Sequence, residues 1–161
     1  MPETKKQHKD ERYRSKCFPG AEQEVMAPKK GGYFPIATVS RKLIKYLKDS
    51  ELRVWFYLQA RAGQWFITYP TYEEIQGETG LSKGAVSKAI KGLERKGFIR
   101  SHNDIGTRRY LIRDPKLAMQ KLRELNLMST DEFDDANALL DVLKQQTVTD
   151  PLKMAQQPPT P

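Results

Sequence analysis

Residues 71–100, TYEEIQGETGLSKGAVSKAIKGLERKGFIR, contain two helix-start signals separated by a glycine. Thr71 and Glu74 form the T-x-x-E pattern of a capping box, which predicts that a helix starts directly after Thr71. Gly80 suits the left-handed residue that ends a helix, and Ser82 suits the cap of a second one. Two short helices joined by a tight glycine turn predict a helix-turn-helix arrangement.

The second predicted helix, residues 83–96, has an apolar side and a basic side. At 100° per residue, Val86, Ile90 and Leu93 fall on one face. The opposite face holds Gly84, Ser87, Lys88, Lys91 and Arg95. We interpret that basic face as a docking surface for the DNA major groove, which a bare glycine backbone in the first turn would let the helix approach. The alternative is that the lysines form an ordinary solvated face.

Residues 98–113 predict a β-hairpin that follows the two helices directly. Two short strand patterns, 98–101 and 108–113, are separated by a turn that contains Gly106. A hairpin beside a helix-turn-helix is a wing, which can reach phosphates or the minor groove. Arg108 and Arg109 are neighbours on a strand and point to opposite faces, so at most one of them easily faces DNA.

The predicted DNA-binding residues combine the starts of both helices, the basic face and the hairpin. They are Thr71, Tyr72, Ser82, Lys83, Gly84, Ser87, Lys88, Lys91, Arg95, Arg100, His102, Arg108 and Arg109. Two of them have a structural alternative. Thr71 can serve only as a helix cap, and Arg95 can pair with a nearby carboxylate.

The sharpest family resemblance lies in TYEEIQGETGLSKGAVSKAIKGLERKGFI, where a cap, a glycine turn and "LS" precede "VSKAIKGLERKGFI". This run resembles the winged helix-turn-helix domain of phage and plasmid replication proteins. It is also similar to bacterial transcription regulators of the multiple-antibiotic-resistance type. The resemblance covers roughly residues 33–113 and implies binding of double-stranded DNA, with the 83–96 helix in the major groove. One departure is Gln76, because such domains usually have a small alanine there.

The whole chain is predicted to be mainly α-helical with a small β-hairpin wing, C-terminal helices and disordered tails. The predicted divisions are a disordered basic arm at 1–32, the winged helix-turn-helix domain at 33–113, C-terminal helices at 114–146 and a disordered tail at 147–161. The arm shows no helical or strand period, and the C-terminal tail is rich in proline.

The last predicted helix, residues 130–145, has an apolar line that admits two interpretations. Phe133, Ala136, Leu140 and Leu143 share one side of that helix. The line can be a homodimer seam, within a dimerisation region at 115–145 that would place two reading helices one DNA turn apart. Alternatively, the same face packs on its own domain.

Charge and composition limit the classes of function. The formal net charge is +8, and residues 33–113 alone carry 15 basic and 7 acidic side chains. A basic domain attracts polyanions such as nucleic acid. No apolar run approaches the length of a membrane helix, and the N-terminus lacks the apolar part of a secretory signal. The single cysteine, Cys17, cannot form an internal disulfide, which predicts a cytoplasmic protein.

The sequence favours binding over catalysis. It contains no phosphate-binding G-x-x-x-x-G-K-[ST] loop, no paired catalytic carboxylates and no nucleophile with a histidine partner, and no metal or cofactor is predicted. We therefore predict a sequence-specific double-stranded DNA-binding protein that is not an enzyme. It would act in plasmid or phage replication initiation or in transcription regulation. The alternative is a winged-helix protein-interaction module in a replication or assembly complex.

Overall fold

The computed structural model describes residues 8–26 and 38–148 of the chain. Its helices are α1 (Lys9–Cys17), α2 (Asp49–Ala62), α3 (Tyr72–Thr79), α4 (Lys83–Arg95), α5 (Pro115–Glu124) and α6 (Thr130–Val148). Its strands are β1 (Ile67–Thr68), β2 (Ile99–Asp104) and β3 (Thr107–Ile112), and 3-10 turns lie at Ala21–Gln23, Thr38–Lys42, Ile44–Tyr46 and Gly63–Trp65. The predicted fold class, mainly α-helical with a small hairpin sheet, is confirmed.

Local hydrogen bonds define both helices of the helix-turn-helix. The Glu74 amide donates to Thr71 Oγ1 at 3.1 Å, and the Thr71 amide donates to the Glu74 carboxylate at 2.7 Å. The second of these bonds lowers the pKa of Glu74. Gly80 ends α3 in the left-handed region, with φ 70°, where glycine has no steric penalty. Ser82 then caps α4 by accepting from the Ala85 amide at 3.2 Å. The predicted capping box, glycine turn and second cap are all confirmed.

The apolar side of α4 forms the centre of the core. Val86, Ile90 and Leu93 are completely buried, as is Ile75 from α3. Phe98, which follows α4, meets Trp55 of α2 edge to face, with ring centroids 5.4 Å apart. This packing holds the apolar side of α4 in place, so the helix can present only its other side to solvent.

The three strands form an antiparallel sheet in the order β1-β3-β2. Ile67 of β1 pairs with Leu111 of β3. The last residue pair between β2 and β3, next to the hairpin turn, is Asp104 with Thr107. Only two residues, 105 and 106, therefore connect β2 to β3. The β2–β3 hairpin is the predicted wing, and its strands are longer towards the tip than the sequence indicated.

A buried ion pair joins the end of α4 to the start of α2. Lys96 Nζ lies 2.6 Å from a Glu51 carboxylate oxygen, and the two side chains are 7% and 5% exposed. Lys96 Nζ also donates to the Tyr46 carbonyl at 2.7 Å. The Lys48 amide donates to the same Glu51 carboxylate at 3.2 Å. These partners satisfy the two charges inside the protein and connect α4 with α2.

The prediction of a disordered arm at 1–32 is wrong for residues 8–26, which we call the N-terminal segment. It contains α1 and a 3-10 turn, and Phe18, Ala21 and Val25 are buried in the core. These apolar residues follow the helix and have no regular period, so the sequence pattern did not reveal them. The remainder of the predicted arm lies outside the described residues, as do residues 149–161 of the predicted tail.

The N-terminal segment covers the side of the sheet that faces away from α4. Arg109 of β3 lies over the Tyr13 ring at 4.0 Å, and Glu24 pairs with Arg100 of β2 at 2.5 Å. The Asp114 amide also donates to the Glu24 carbonyl at 2.6 Å. The hairpin therefore has one face on the helix-turn-helix and the other under residues 8–26.

The apolar face of α6 contacts the chain's own core. Ala136 is 1% exposed, Phe133 and Leu140 are partly buried against the core, and Arg123 of α5 lies over the Phe133 ring at 4.9 Å. The side chain of Leu143 lies outside the described residues. This packing favours the intramolecular alternative over the homodimer seam.

No helix within residues 8–26 and 38–148 is both long and apolar enough to cross a membrane. In the same two ranges, no three His, Cys, Asp or Glu side chains come together so that they could hold a metal ion. The thiol of Cys17 is buried, and burial raises its pKa.

Candidate nucleic-acid interface

The solvent-facing side of α4 carries four positive charges that we call the cationic face: Lys83, Lys88, Lys91 and Arg95. All four residues are exposed, as is Gly84 in the first turn, whereas Ser87 is partly buried. The orientation follows from the burial of Val86, Ile90 and Leu93 on the other side. The structure thus places the predicted residues of α4 together on one accessible surface.

The cationic face has no acidic partners within the part of the chain that the structure describes. None of its four side chains forms an ion pair or hydrogen bond there, although other basic residues of the sheet and core do. The alternative that Arg95 pairs with a nearby carboxylate is therefore not realised among these residues. Four uncompensated cations on one helix create a positive field that favours an anionic partner.

A cavity adjoins the exposed side of α4 at the start of α2. This cavity of about 360 Å³ between the two helix N-termini is lined by Lys48, Ser50, Ser82, Gly84 and Lys88, among others. Lys48 is exposed and has no ion pair among the described residues. Sequence reasoning missed Lys48, because nothing in the residues around it indicates that it lines the same cavity as Lys88.

The two predicted residues at the start of α3 are both engaged within the protein. Thr71 uses its hydroxyl and its amide in the capping box with Glu74. The Tyr72 hydroxyl accepts from an Arg108 guanidinium nitrogen at 3.1 Å. Thr71 is exposed, so it can still contact a ligand, but its established role is that of a cap.

The hairpin cations are divided between its two faces, as the adjacent positions of Arg108 and Arg109 predicted. Arg108 faces α4, where it lies 3.6 Å from Glu94 and donates to Ser101 at 2.9 Å. Arg109 is 8% exposed and lies 3.6 Å from Asp104. Ser101 also donates to Glu94, which completes a polar cluster between β2 and α4.

The structure corrects the assignment of Arg109 to the DNA-binding set. Its guanidinium is enclosed between the Tyr13 ring and Asp104, so no duplex can reach it while the N-terminal segment is in place. Arg100 is paired with Glu24 on the same face. His102 is exposed beside Phe18, with ring centroids 6.0 Å apart.

Two glycines of α4 allow opposite predictions for the same substitution. A Cβ at Gly84 would meet nothing within 4 Å, whereas one at Gly92 would lie 2.9 Å from Glu51 Cδ and closer to a carboxylate oxygen. Glu51 cannot easily move, because Lys96 and the Lys48 amide hold its carboxylate.

We expect Gly84→Ala to stabilise the protein by about 0.4–1 kcal/mol, since alanine restricts the unfolded chain. Gly92→Ala should destabilise it by about 1–3 kcal/mol through overpacking. Urea unfolding of both variants measures the two effects. Equal shifts in the same direction would contradict the packing of Glu51 against α4.

Gly84→Ala should nevertheless weaken duplex binding, because the added methyl separates the helix start from the DNA.

Residues 45–99 match a family model described as a helix-turn-helix domain. The match includes α2, β1, α3 and α4 and ends where β2 begins. It supports a helix-turn-helix DNA-binding domain in this part of the chain. A search of curated proteins found no match to the chain. The more specific resemblance to phage and plasmid replication proteins and to multiple-antibiotic-resistance-type regulators stays a prediction.

Proposed function

We propose that the chain is a sequence-specific double-stranded DNA-binding protein that acts by binding rather than by catalysis. Helix α4 enters the major groove, and the β2–β3 hairpin lies beside it as a wing. The observation that carries this proposal is the cationic face: four exposed cations without acidic partners in the described chain, on a helix whose other side is locked in the core.

The proposed roles follow the position of each residue along α4. Lys88, Lys91 and Arg95 contact phosphates and base edges along the groove. Ser82, Lys83, Gly84 and Ser87 lie at the helix start, where base reading and close backbone approach occur in this geometry. Lys48 adds a phosphate contact from the start of α2, because it shares the cavity with Lys88.

The hairpin contributes fewer cations than its sequence indicated. Arg108 faces α4 and supports the interface together with Tyr72. Arg100 and His102 lie at the margin of the proposed surface, on the face that the N-terminal segment covers. Arg109 has a positioning role, because it packs against Tyr13.

We propose that this binding serves plasmid or phage replication initiation or transcription regulation, on the basis of the sequence resemblance alone. The proposed DNA-binding unit, residues 33–113, is completed by the N-terminal segment that packs on its hairpin. The region 114–146 forms accompanying helices. The apolar surface that a homodimer could use in residues 115–145 is reduced, because Ala136 and its neighbours pack on the core of their own chain. The molar mass from light scattering tests it directly.

The salt dependence of duplex binding tests the proposal. A protein that makes about six phosphate contacts should show a log–log slope of observed affinity against salt near −5. We would measure the affinity of the full chain for duplexes recovered from a random-sequence pool, by fluorescence anisotropy at several salt concentrations. Negligible affinity at moderate salt would contradict the proposal.

One observation favours the second candidate, a protein-interaction module. Phe56 on α2 is 57% exposed beside a cavity of about 440 Å³ that is lined by Arg53, Tyr57 and Glu78, among others. Exposed aromatic side chains next to a depression are typical of protein interfaces. A module of this kind would bind duplex DNA weakly at every moderate salt concentration, so the same titration separates the two functions.

A further inference from the structure

The tip of the β2–β3 hairpin carries an unusually exposed apolar residue. Ile105 is 96% exposed, more than any other large apolar side chain whose burial the structure describes. It is the first of the two residues that connect the strands. Its side chain therefore gains nothing from burial in the fold, and hydrophobic packing within the chain does not explain it.

The backbone at the tip is also unfavourable for isoleucine. Ile105 has φ 41° and Gly106 has φ 75°, so both connecting residues occupy the left-handed region. Two-residue turns of this kind strongly prefer Asn-Gly or Asp-Gly, and a β-branched residue at positive φ is a genuine outlier. Asparagine at position 105 would relieve the strain and remove exposed hydrocarbon. Backbone strain of this kind is found most often at functional sites.

The residue before the tip is held firmly. The Asp104 carboxylate lies 3.6 Å from both Lys16 and Arg109, and the Cys17 thiol donates to it at 3.9 Å. Two of these partners belong to α1 of the N-terminal segment. Ile105 is therefore presented from an anchored base, which lowers the entropy that a bound side chain would lose.

The hairpin extends past the contact that it makes with α4. Ser101 and Arg108 meet Glu94 near the end of α4. Ile105 lies four residues beyond Ser101, which is about 13 Å along an extended strand. A duplex with α4 in its major groove would bring an adjacent minor groove towards such a projection.

We propose that Ile105 is an apolar wedge that enters the minor groove of the bound duplex. This inference rests on the proposed function. Apolar side chains inserted between base steps partly unstack them and kink the duplex, most easily at flexible pyrimidine–purine steps. Ile105 thus adds a preference for deformable sequence at a position that the cationic face does not contact.

Replacing Ile105 with asparagine tests the wedge, because the fold and the complex should respond in opposite directions. We expect I105N to raise the melting temperature. We also expect it to weaken binding roughly tenfold, which corresponds to a loss of about 1.4 kcal/mol of binding free energy. The probe is a labelled duplex that the wild-type protein recovers from a random-sequence pool. The slope against salt should not change, since no charge is removed.

A conservative variant and the wild-type titration separate the outcomes. I105L keeps the apolar side chain and should bind the same duplex nearly as tightly as wild type. If wild type shows salt-sensitive duplex binding while I105N binds equally well, the wedge is refuted and the proposed function stands. That result is also expected if Ile105 instead contacts a protein partner. If wild type itself fails to bind duplex, both proposals fall.

Discussion

Replacing Lys88 and Lys91 with alanine should weaken duplex binding by roughly 30-fold or more, on the basis of about 1 kcal/mol for each lost contact. Both side chains are exposed on α4 and have no partner in the described chain, so their removal leaves no internal charge uncompensated. The log–log slope against salt should become less steep by about two, because each lysine releases about one counterion. Fluorescence anisotropy with a duplex recovered by the wild-type protein measures both quantities.

The matched control is Lys116→Ala with Lys121→Ala, which removes the same charge from α5. Lys121 packs near Gly97, at the base of the hairpin rather than at its tip. This control should weaken binding only slightly. The Lys88/Lys91 variant should keep the unfolding midpoint of the wild type, since surface substitutions usually change stability by about 0.5 kcal/mol or less. The control also removes the exposed Lys121–Glu124 ion pair at 3.2 Å, which contributes about 0.2–0.5 kcal/mol. Equal binding losses in the two variants would indicate a general charge effect and refute the assignment of the cationic face.

Lys96→Ala should destabilise the protein by about 3–5 kcal/mol, the usual cost of leaving the other half of a buried ion pair unpaired. Glu51 is 5% exposed at its side chain and would lose its cationic partner at 2.6 Å. The Tyr46 carbonyl would lose a donor as well. The substitution also removes the link between the end of α4 and the start of α2. Urea denaturation monitored by circular dichroism measures the resulting loss of unfolding free energy.

A double variant distinguishes the charge effect from simple loss of packing. E51Q/K96M removes both charges at nearly unchanged volume, so that no unpaired charge is left buried. It should therefore be more stable than Lys96→Ala alone. Lys91→Ala, on the exposed side of the same helix, should unfold close to the wild-type midpoint. If Lys96→Ala also unfolds at the wild-type midpoint, the Glu51–Lys96 ion pair is not buried as the structure describes.

The helix-turn-helix could be predicted from the sequence because its signals are local. The bonds of Thr71 with Glu74 and of Ser82 with Ala85 each join residues three positions apart. The glycine that ends α3 is likewise defined by its own backbone conformation. The apolar and basic sides of α4 follow from the helical period, so the orientation of the cationic face was predictable too.

The order in the N-terminal segment could not be predicted in the same way. Only two residues of α1, Arg14 and Cys17, are buried, and the apolar residues that anchor the segment come after the helix. Their burial depends on the β2–β3 hairpin, which begins more than 70 positions further along the chain. A local period does not report such a contact, which is why residues 8–26 resembled a disordered arm.

By itself, the sequence determined that a capped pair of short helices would present a row of lysines, because each cap and each helical face depends on residues within a few positions of one another. Only the tertiary structure decided which of the predicted cations are available to a ligand. Glu24 pairs with Arg100 across 76 positions, and Asp104 pairs with Arg109 under Tyr13, whereas Lys48 and Lys88 line one cavity without an acidic partner of their own in the described chain. Long-range packing sets the distance between charges, and distance controls whether a cation is neutralised within the protein or remains free for DNA.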